Sequence, residues 1–259
     1  MTTFATFQSP TAVSRIQSVR DALMRHRPVR TAWIACKAVN YLFTFGVRQI
    51  CWLVESLELQ HGHYESRQKQ LPIDRDGQPL PWYTYPAIQY ISQLDLSDRD
   101  AFEFGSGNGS LFWAARVRTL ISVESDPQWH GMISSKRSEN QQVLLEENLD
   151  LYPHSIHRSG KKFDLIIVDG KRRRPCAAEA VECLAANGMI ILDNSDWYPK
   201  TAQLLRDTGL IQIDFTGYGP VNNYTWTTSL FLTRGVQLRP RTNRMPEPGI
   251  GSLVQTGDE

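Results

Sequence analysis

The chain has 259 residues, of which 41% are hydrophobic and 21% are charged. This composition predicts a globular protein with a full core and excludes a disordered chain, and a net charge of +1 does not favour a nucleic-acid partner. The four cysteines, Cys36, Cys51, Cys176 and Cys183, show no C-x-x-C spacing, so we expect reduced thiols in a cytoplasmic protein and no zinc site.

Residues 1–60 are predicted to form a basic segment followed by a long apolar helix. From Thr31 onward the sequence is strongly apolar, and its polar residues recur at helical spacing. These polar residues are Lys37, Asn40, Thr44, Arg48 and Glu55. The stretch between Lys37 and Arg48 is shorter than the about 20 apolar residues that a membrane span needs. No small-residue cleavage site follows, so we predict neither a span nor a secretory signal.

Three roles for this helix remain open. The first is packing on the rest of the protein or formation of a homodimer through residues 31–59. The second is peripheral membrane contact, with the basic prefix facing anionic headgroups and aromatic rings entering the surface. The third is an organelle transit peptide, because the segment is rich in Arg, Ser and Thr and poor in acids.

Residues 61–80 have the composition of a polar linker with a turn at Asp76-Gly77. The linker contains His61 and His63, which we expect to be solvated loop residues rather than metal ligands. A helix is then predicted to start at Pro86, because Pro is favoured in the first turn and apolar residues follow at helical spacing.

A glycine loop between two strands is the most informative stretch of the chain. The sequence from Asp100 to Asp126 predicts a buried strand, a loop, a helix and a second strand that ends on Glu124. A loop with few Cβ atoms lets the backbone approach a ligand, and the helix after it presents unpaired N–H groups. A carboxylate at the end of the second strand is well placed to accept both hydroxyl hydrogens of a ribose.

The order of this loop, E-x-G-x-G-x-G, resembles motif I of class I S-adenosylmethionine (SAM) methyltransferases. Dinucleotide-binding dehydrogenases space their glycines differently, as G-x-G-x-x-G. The resemblance implies a SAM-binding domain over residues 81–235, in which Glu103 lies near the methionine amino group and Glu124 binds the ribose. The cofactor-binding residues that it implies are Tyr83, Thr84, Glu103, Gly105, Ser106, Gly107, Gly109, Glu124 and Asp169.

The downstream chain continues the alternation of strands and helices. The run from Lys162 to Gly170 predicts a buried strand that ends on Asp169, and residues 189–192 predict a fifth strand that ends on Asp193. Two further strands joined by a glycine- and asparagine-containing turn then close the domain, and residues 236–259 are expected to be a flexible tail. We therefore predict an α/β fold, a doubly wound seven-stranded Rossmann-like methyltransferase sheet with an antiparallel last strand and an N-terminal helical extension.

Acidic residues at two strand ends predict where chemistry occurs. Asp169, Asp193 and Asn194 carry hard oxygen ligands, and their placement is similar to the metal site of catechol and caffeoyl-coenzyme A O-methyltransferases, which implies Mg²⁺ or another divalent cation. A common turn or helix cap explains Asp-Asn equally well. Asp169, Asp193 and Lys171 are the candidate catalytic residues, and without a metal a carboxylate is left to act as general base.

The sequence thus predicts a SAM-dependent methyltransferase that acts on an oxygen of a small molecule or glycan. The basic run that begins at Lys171 indicates either an anionic substrate or a solvated loop. Two alternatives remain: a non-catalytic methyltransferase-like module tethered by its N-terminal helix, and an NAD(P)-dependent oxidoreductase. We expect a cytoplasmic protein, associated with a membrane only if the N-terminal helix lies in its surface.

Overall fold

The computed structural model describes residues 27–252, which belong to two compact units divided after Val54. The first unit consists of helices α1, Arg27–Phe45, and α2, Val47–Val54. The predicted single helix is interrupted at Gly46, whose φ of +80° an α-helix does not accept. The basic segment before Arg27 lies outside the described residues.

The helices of the first unit carry exposed apolar side chains. Phe43 is 88% exposed and Trp52 58% exposed. Within residues 27–252, none of the helices combines the length and the apolar character that crossing a membrane requires. Dimer formation and membrane-surface contact through residues 31–59 stay predictions.

The second unit alternates helices and strands. After a π-helical turn at Glu55–Gln60, its α-helices are α3 His63–Lys69, α4 Tyr85–Ser92, α5 Asn108–Ala114, α6 Pro127–Ser134, α7 Arg173–Cys183 and α8 Pro199–Asp207. A 3₁₀ helix spans Tyr152–Ser159. The strands are β1 Asp100–Phe104, β2 Thr119–Glu124, β3 Gln141–Leu145, β4 Phe163–Val168, β5 Leu184–Leu192, β6 Ile211–Gly217 and β7 Trp226–Leu232.

The strands form one seven-stranded sheet in the order β3-β2-β1-β4-β5-β7-β6. Strands β1 to β5 run parallel, and β7 is antiparallel to both β5 and β6. The predicted doubly wound sheet with an antiparallel last strand is confirmed. Because the parallel strands end at one edge, the loops after β1, β2, β4 and β5 meet there.

Helices cover both faces of the sheet, so the central strands are buried on both sides. In β4, Leu165 and Ile167 pack in the cluster that contains helices α4 and α5. Ile166 and Val168 pack on the opposite face, in the cluster that contains helices α7 and α8. This two-sided burial explains the uninterrupted aliphatic run in the sequence.

The predicted linker, residues 61–80, is instead a folded part of the second unit. Its helix α3 buries His63 and Ser66, and the Ser66 hydroxyl donates to the carbonyl of Ile73 at 2.6 Å. The expectation that both histidines are solvated is also incorrect, because the ring of His61 packs on Tyr85 with centroids 4.2 Å apart. The polar composition conceals a local hydrogen-bonded structure.

The predicted flexible tail is also ordered as far as the structure describes it. Pro240 pairs with Leu94, and the amide of Arg241 donates to the carbonyl of Gln93 at 2.7 Å. Val236 and Met245 pack against the core. The segment from residue 236 to 252 is therefore attached to the end of helix α4, and residues 253–259 lie outside the described chain.

Candidate cofactor and active site

The glycine loop follows β1 and brings the ends of two strands into backbone contact. Gly105 has a φ of +104°, and a Cβ built there would lie 3.1 Å from the Cα of Gly170, which follows β4. A residue with a side chain is strained in this conformation, and its Cβ would press on the backbone of Gly170. The sequence therefore needs glycine at this turn.

Glu103 lies in β1 beneath the glycine loop. Its side chain is buried, and Oε2 accepts hydrogen bonds from the hydroxyls of Ser110 at 2.5 Å and Ser122 at 2.7 Å. Burial raises the pKa of Glu103 to about 8, although the two serine hydroxyls oppose the rise. Within residues 27–252 the second oxygen, Oε1, accepts no hydrogen bond, and Glu103 borders a cavity. A positively charged ligand group is the partner that this oxygen fits.

Glu124 ends β2 and lies on the other side of the loop. Its Oε2 accepts from the backbone N–H and the hydroxyl of Ser106, each at 3.1 Å. Its Oε1 accepts from the backbone N–H groups of Ser125 at 2.7 Å and Asp126 at 3.0 Å. These donors fix the carboxylate at the edge of the same cavity.

Trp129 covers the loop from helix α6. Asp126 caps this helix by accepting from the N–H groups of Gln128 and Trp129 at 2.9 Å each. The indole N–H of Trp129 then donates to the carbonyl of Ser106 at 2.5 Å. The cap thus places a large aromatic face beside the glycine loop.

The cavity has a volume of about 320 Å³ and combines parts of the chain that are distant in sequence. Its floor is the glycine loop, and one wall comes from residues 70–72 and 81–83. The opposite side is formed by Tyr152 and by residues 169–171 after β4. Glu103 and Glu124 therefore border one cavity of the size that small ligands occupy.

A guanidinium holds the loops after β4 and β5 together. Arg173, at the start of helix α7, donates to the Asp169 carboxylate at 2.8 Å and to the Asn194 side-chain oxygen at 2.8 Å. It also donates to the backbone carbonyl of Asp193. The Arg173 side chain is only 10% exposed and the Asp169 side chain 28%. One cation therefore already binds the oxygens at this edge.

The predicted divalent-metal site does not fit this arrangement. Asp169 and Asn194 direct oxygens at Arg173, whereas Oδ1 of Asp193 accepts from Trp226 at 3.0 Å and from Thr228 at 2.6 Å. A divalent cation needs several such oxygens directed at one point. The three side chains do meet at one sheet edge as predicted, but Oδ1 of each aspartate and the side-chain oxygen of Asn194 already accept hydrogen bonds from protein groups.

The two aspartates have raised pKa values. Burial raises the pKa of Asp169, while the positive charge of Arg173 opposes the rise. Burial also raises the pKa of Asp193, and the nearby charge of Asp169 adds to the effect. Asp169 borders the cavity; Asp193 does not border it in the part of the chain that the structure describes. Of the two, Asp169 is the one placed to exchange a proton with a ligand.

Most predicted cofactor residues border the cavity. Those that do are Tyr83, Glu103, Gly105, Ser106, Gly107, Gly109, Glu124 and Asp169, together with the predicted catalytic residue Lys171. Thr84 is an exception: its hydroxyl donates to the carbonyl of Phe215 at 2.9 Å, and its N–H donates to Thr228 at 3.1 Å. Thr84 anchors the wall and does not face the ligand space.

Sequence reasoning did not identify several residues of the cavity. The position of Trp129 could have been predicted from the sequence, because Asp-Pro after β2 indicates a capped helix that starts beside the glycine loop. Tyr152 and Pro72 had none, because their positions depend on long-range packing. Tyr152 reaches across the sheet edge and donates its hydroxyl to the carbonyl of Val123 at 3.2 Å.

Comparison with known proteins gives fold-level similarity. No protein-family model matches the sequence, and no curated protein matches it. Among solved structures, the chain is similar to the O-methyltransferase TomG from Streptomyces achromogenes in complex with SAM, with 13% identity over 70% of this chain and 89% of that one and a TM-score of 0.48.

The chain is also similar to two other solved structures. Precorrin-6y C5,15-methyltransferase from Geobacter metallireducens has 14% identity over 57% of this chain and 86% of its own, with a TM-score of 0.46. The N-methyltransferase NodS from Bradyrhizobium japonicum in complex with S-adenosylhomocysteine has 16% identity over 66% and 98%, with a TM-score of 0.43.

Proposed function

We propose that this protein is a class I SAM-dependent methyltransferase that transfers a methyl group to an oxygen of a small molecule or glycan. One observation carries the proposal. Glu103 lies in β1, and Glu124 is the last residue of the adjacent parallel strand β2. The two glutamates flank one glycine loop and border one cavity. The order of the sheet supports it too, because the dinucleotide-binding order 3-2-1-4-5-6 has no antiparallel strand between its last two positions.

The cavity residues fit SAM in charge and hydrogen bonding. SAM carries an ammonium group and a ribose diol, and each needs an acceptor inside a partly dry site. Glu103 offers the buried Oε1 for the ammonium, and Glu124 offers a fixed carboxylate for the diol. Trp129 and the wall at residues 81–83 line the space between them.

SAM would supply an electrophilic methyl group, and the protein would position and deprotonate the acceptor. Asp169 borders the cavity beside Gly170 and has a raised pKa, as a general base near neutral pH requires. Arg173 orients its carboxylate through the 2.8 Å hydrogen bond. We assign Asp169 the removal of the acceptor's hydroxyl proton, and Asp193 the support of the loop behind it.

The chemical class of the methyl acceptor follows from residues at the same edge of the sheet. An acceptor hydroxyl needs a base, whereas an amine is already nucleophilic when neutral, so a base at the cavity favours oxygen. Lys171 lies at the cavity rim and Arg172 is exposed beside it. These cations favour a small-molecule or glycan acceptor that carries a carboxylate or phosphate.

Calorimetric titration tests the cofactor assignment. SAM and S-adenosylhomocysteine are titrated into the wild type, Glu124→Ala and the control Glu147→Ala, which changes an exposed glutamate after β3. We expect micromolar binding to the wild type and the control, and its loss in Glu124→Ala. Binding of NAD instead of SAM would show that the protein is an oxidoreductase, and binding of neither would favour a non-catalytic module.

Asp169→Asn separates a methyltransferase from a binding module. We expect this variant to bind SAM and to lose transfer of labelled methyl to a hydroxylated acceptor. Retained transfer would contradict the role of Asp169.

A further inference from the structure

Two histidines and a glutamate converge away from the cofactor cavity. His154 and His157 lie on the 3₁₀ helix, in which residues three apart share one face because each turn has three residues. Both face Glu179 of helix α7. His154 Nδ1 lies 3.3 Å from one carboxylate oxygen, and His157 Nε2 lies 2.6 Å from the other.

The ligating atoms of these three residues form a compact set. All of them lie within 4.8 Å of one another. His154 and His157 are exposed and Glu179 is half-buried, so the set is open to solvent on one side. Three protein ligand atoms that lie close together, with one coordination position left open to solvent, are typical of three-ligand zinc sites.

Cys183 provides a support for one of the ligands. It lies one turn after Glu179 on the same helix, and its Sγ is 3.4 Å from Nδ1 of His157. In the metal-free protein, Nε2 of His157 donates to the Glu179 carboxylate. When a metal replaces that proton, Nδ1 keeps its own proton and directs it at the sulfur, which leaves the lone pair of Nε2 for the metal. A contact to the second ring nitrogen is the usual way in which a ligating histidine is oriented.

We propose that His154, His157 and Glu179 form a surface site for a divalent transition metal, with Zn²⁺ as the preferred ion. Two imidazoles and one carboxylate are the ligands that zinc accepts, whereas Mg²⁺ and Ca²⁺ prefer oxygen alone. The site needs no cysteine pair, so the absence of C-x-x-C spacing in the sequence does not oppose it. It is also independent of the proposed methyltransferase activity.

The position of the site suggests what the metal does. Tyr152 begins the same 3₁₀ helix and borders the cofactor cavity. A metal held between the 3₁₀ helix and helix α7 would fix the helix that carries Tyr152. The metal therefore stabilises one wall of the cavity and takes no part in the chemistry.

Zinc titration of the tag-free, chelator-treated full chain tests the proposal. The variants are His154→Ala, His157→Ala and Glu179→Gln, and the control is Glu182→Gln, an exposed glutamate on the same helix. We expect one equivalent of Zn²⁺ to bind the wild type and the control. Each ligand variant should bind more than about tenfold more weakly, because losing even an outer-shell partner costs that much.

Thermal unfolding supplies a second measurement. Zn²⁺ should raise the unfolding midpoint of the wild type and of Glu182→Gln, because an ion that binds only the folded state stabilises that state. The unfolding midpoint of Glu179→Gln should not change when Zn²⁺ is added. No zinc binding by the wild type would overturn the proposal. Binding that the three ligand variants leave intact would also overturn it, since that metal would sit elsewhere, for example on the exposed thiols of Cys36 and Cys51.

Discussion

Arg173 holds the carboxylate of Asp169 at 2.8 Å, at the sheet edge where the sequence predicted a divalent cation. A guanidinium is a permanent cation with several donors in a fixed plane, so it can neutralise one carboxylate and bind two further oxygens at once. In this protein those oxygens belong to Asn194 and to the backbone of Asp193. A side chain therefore occupies the position that the resemblance assigned to a metal.

Removing Arg173 should destabilise the fold. In Arg173→Gln the half-buried Asp169 loses its counter-charge, and we expect the free energy of unfolding to fall by about 1–3 kcal/mol. Urea denaturation measures the change. The matched control is Arg174→Gln, which alters an exposed neighbour and should shift stability by less than about 0.5 kcal/mol. Equal effects of the two variants would show that Arg173 is not the partner on which Asp169 depends.

Mg²⁺ should not influence cofactor binding or methyl transfer. Because Arg173 engages the oxygens of Asp169 and Asn194, Mg²⁺ has no complete set of ligands there. Calorimetric SAM titrations with and without added Mg²⁺ should give the same dissociation constant, and transfer rates should agree as well. A strict requirement for Mg²⁺ would mean that Arg173 moves away in the working enzyme.

The affinity for SAM should rise with pH through the ionisation of Glu103. Its pKa of about 8 in the ligand-free protein leaves it mostly protonated near about pH 6, whereas the ammonium of SAM favours the carboxylate. We expect binding to strengthen from about pH 6 towards about pH 8, above which the amino group of SAM loses its own proton. Calorimetry across this range should give a flat profile for Glu103→Gln, and a wild-type slope in that variant would contradict the assignment.

The same carboxyl group should make the ligand-free protein less stable at higher pH. The pKa of Glu103 is raised from 4.5 to about 8 in the folded state, so the folded protein holds this proton more tightly than the unfolded chain. Its contribution to stability is present in full below 4.5 and is lost as the pH rises towards about 8. Urea midpoints measured over this window should decline less steeply in Glu103→Gln than in the wild type or Glu147→Gln.

A side chain at Gly170 should disturb the contact between β1 and β4. A Cβ there would lie 2.3 Å from the hydroxyl oxygen of Tyr152 and 2.8 Å from the nitrogen of Gly105. We expect Gly170→Ala to destabilise the protein by about 1–3 kcal/mol in urea denaturation and to weaken SAM binding. Adding Tyr152→Phe removes the oxygen and should restore part of the loss.

A second glycine provides the control for Gly170. A Cβ at Gly131, in the middle of helix α6, meets nothing within 4 Å. Gly131→Ala should therefore stabilise the protein by about 0.5–1 kcal/mol, because alanine costs less backbone entropy in a helix. If both alanine variants destabilise the protein equally, the close approach of atoms at Gly170 is not the cause of the destabilisation in Gly170→Ala.

Trp129 should contribute to SAM binding through both its N–H and its ring. Trp129→Phe keeps an aromatic face but loses the hydrogen bond to Ser106, and we expect SAM to bind about 2–10-fold more weakly. Trp129→Ala, which also removes the aromatic ring, should weaken SAM binding further. Trp197→Phe, which changes an exposed tryptophan, serves as the control and should leave the calorimetric affinity unchanged.

The sequence predicted what depends on local pattern and missed what depends on distant contacts. The E-x-G-x-G-x-G loop and the aliphatic run of β4 identified the sheet edge correctly, because burial on both faces leaves a continuous apolar signal. The role of Arg173 was not visible, since a basic run has the same composition whether it is solvated or folded inward. The ordered tail was missed for a similar reason: its pairing with Leu94 is a backbone contact that leaves no periodic signal.

The anchoring of Thr84 to β6 and β7 has a consequence for the order in which the protein matures. Thr84 follows Tyr83 of the cavity wall, yet its hydrogen-bond partners Phe215 and Thr228 lie 131 and 144 residues further along the chain. A ribosome that adds about 5–20 residues per second needs on the order of ten seconds to synthesise that stretch. A nascent chain stalled before Trp226 would carry the complete glycine loop but not the strand that fixes the wall above it. We therefore expect the wall of the cavity to be fixed late, when the closing hairpin joins the sheet.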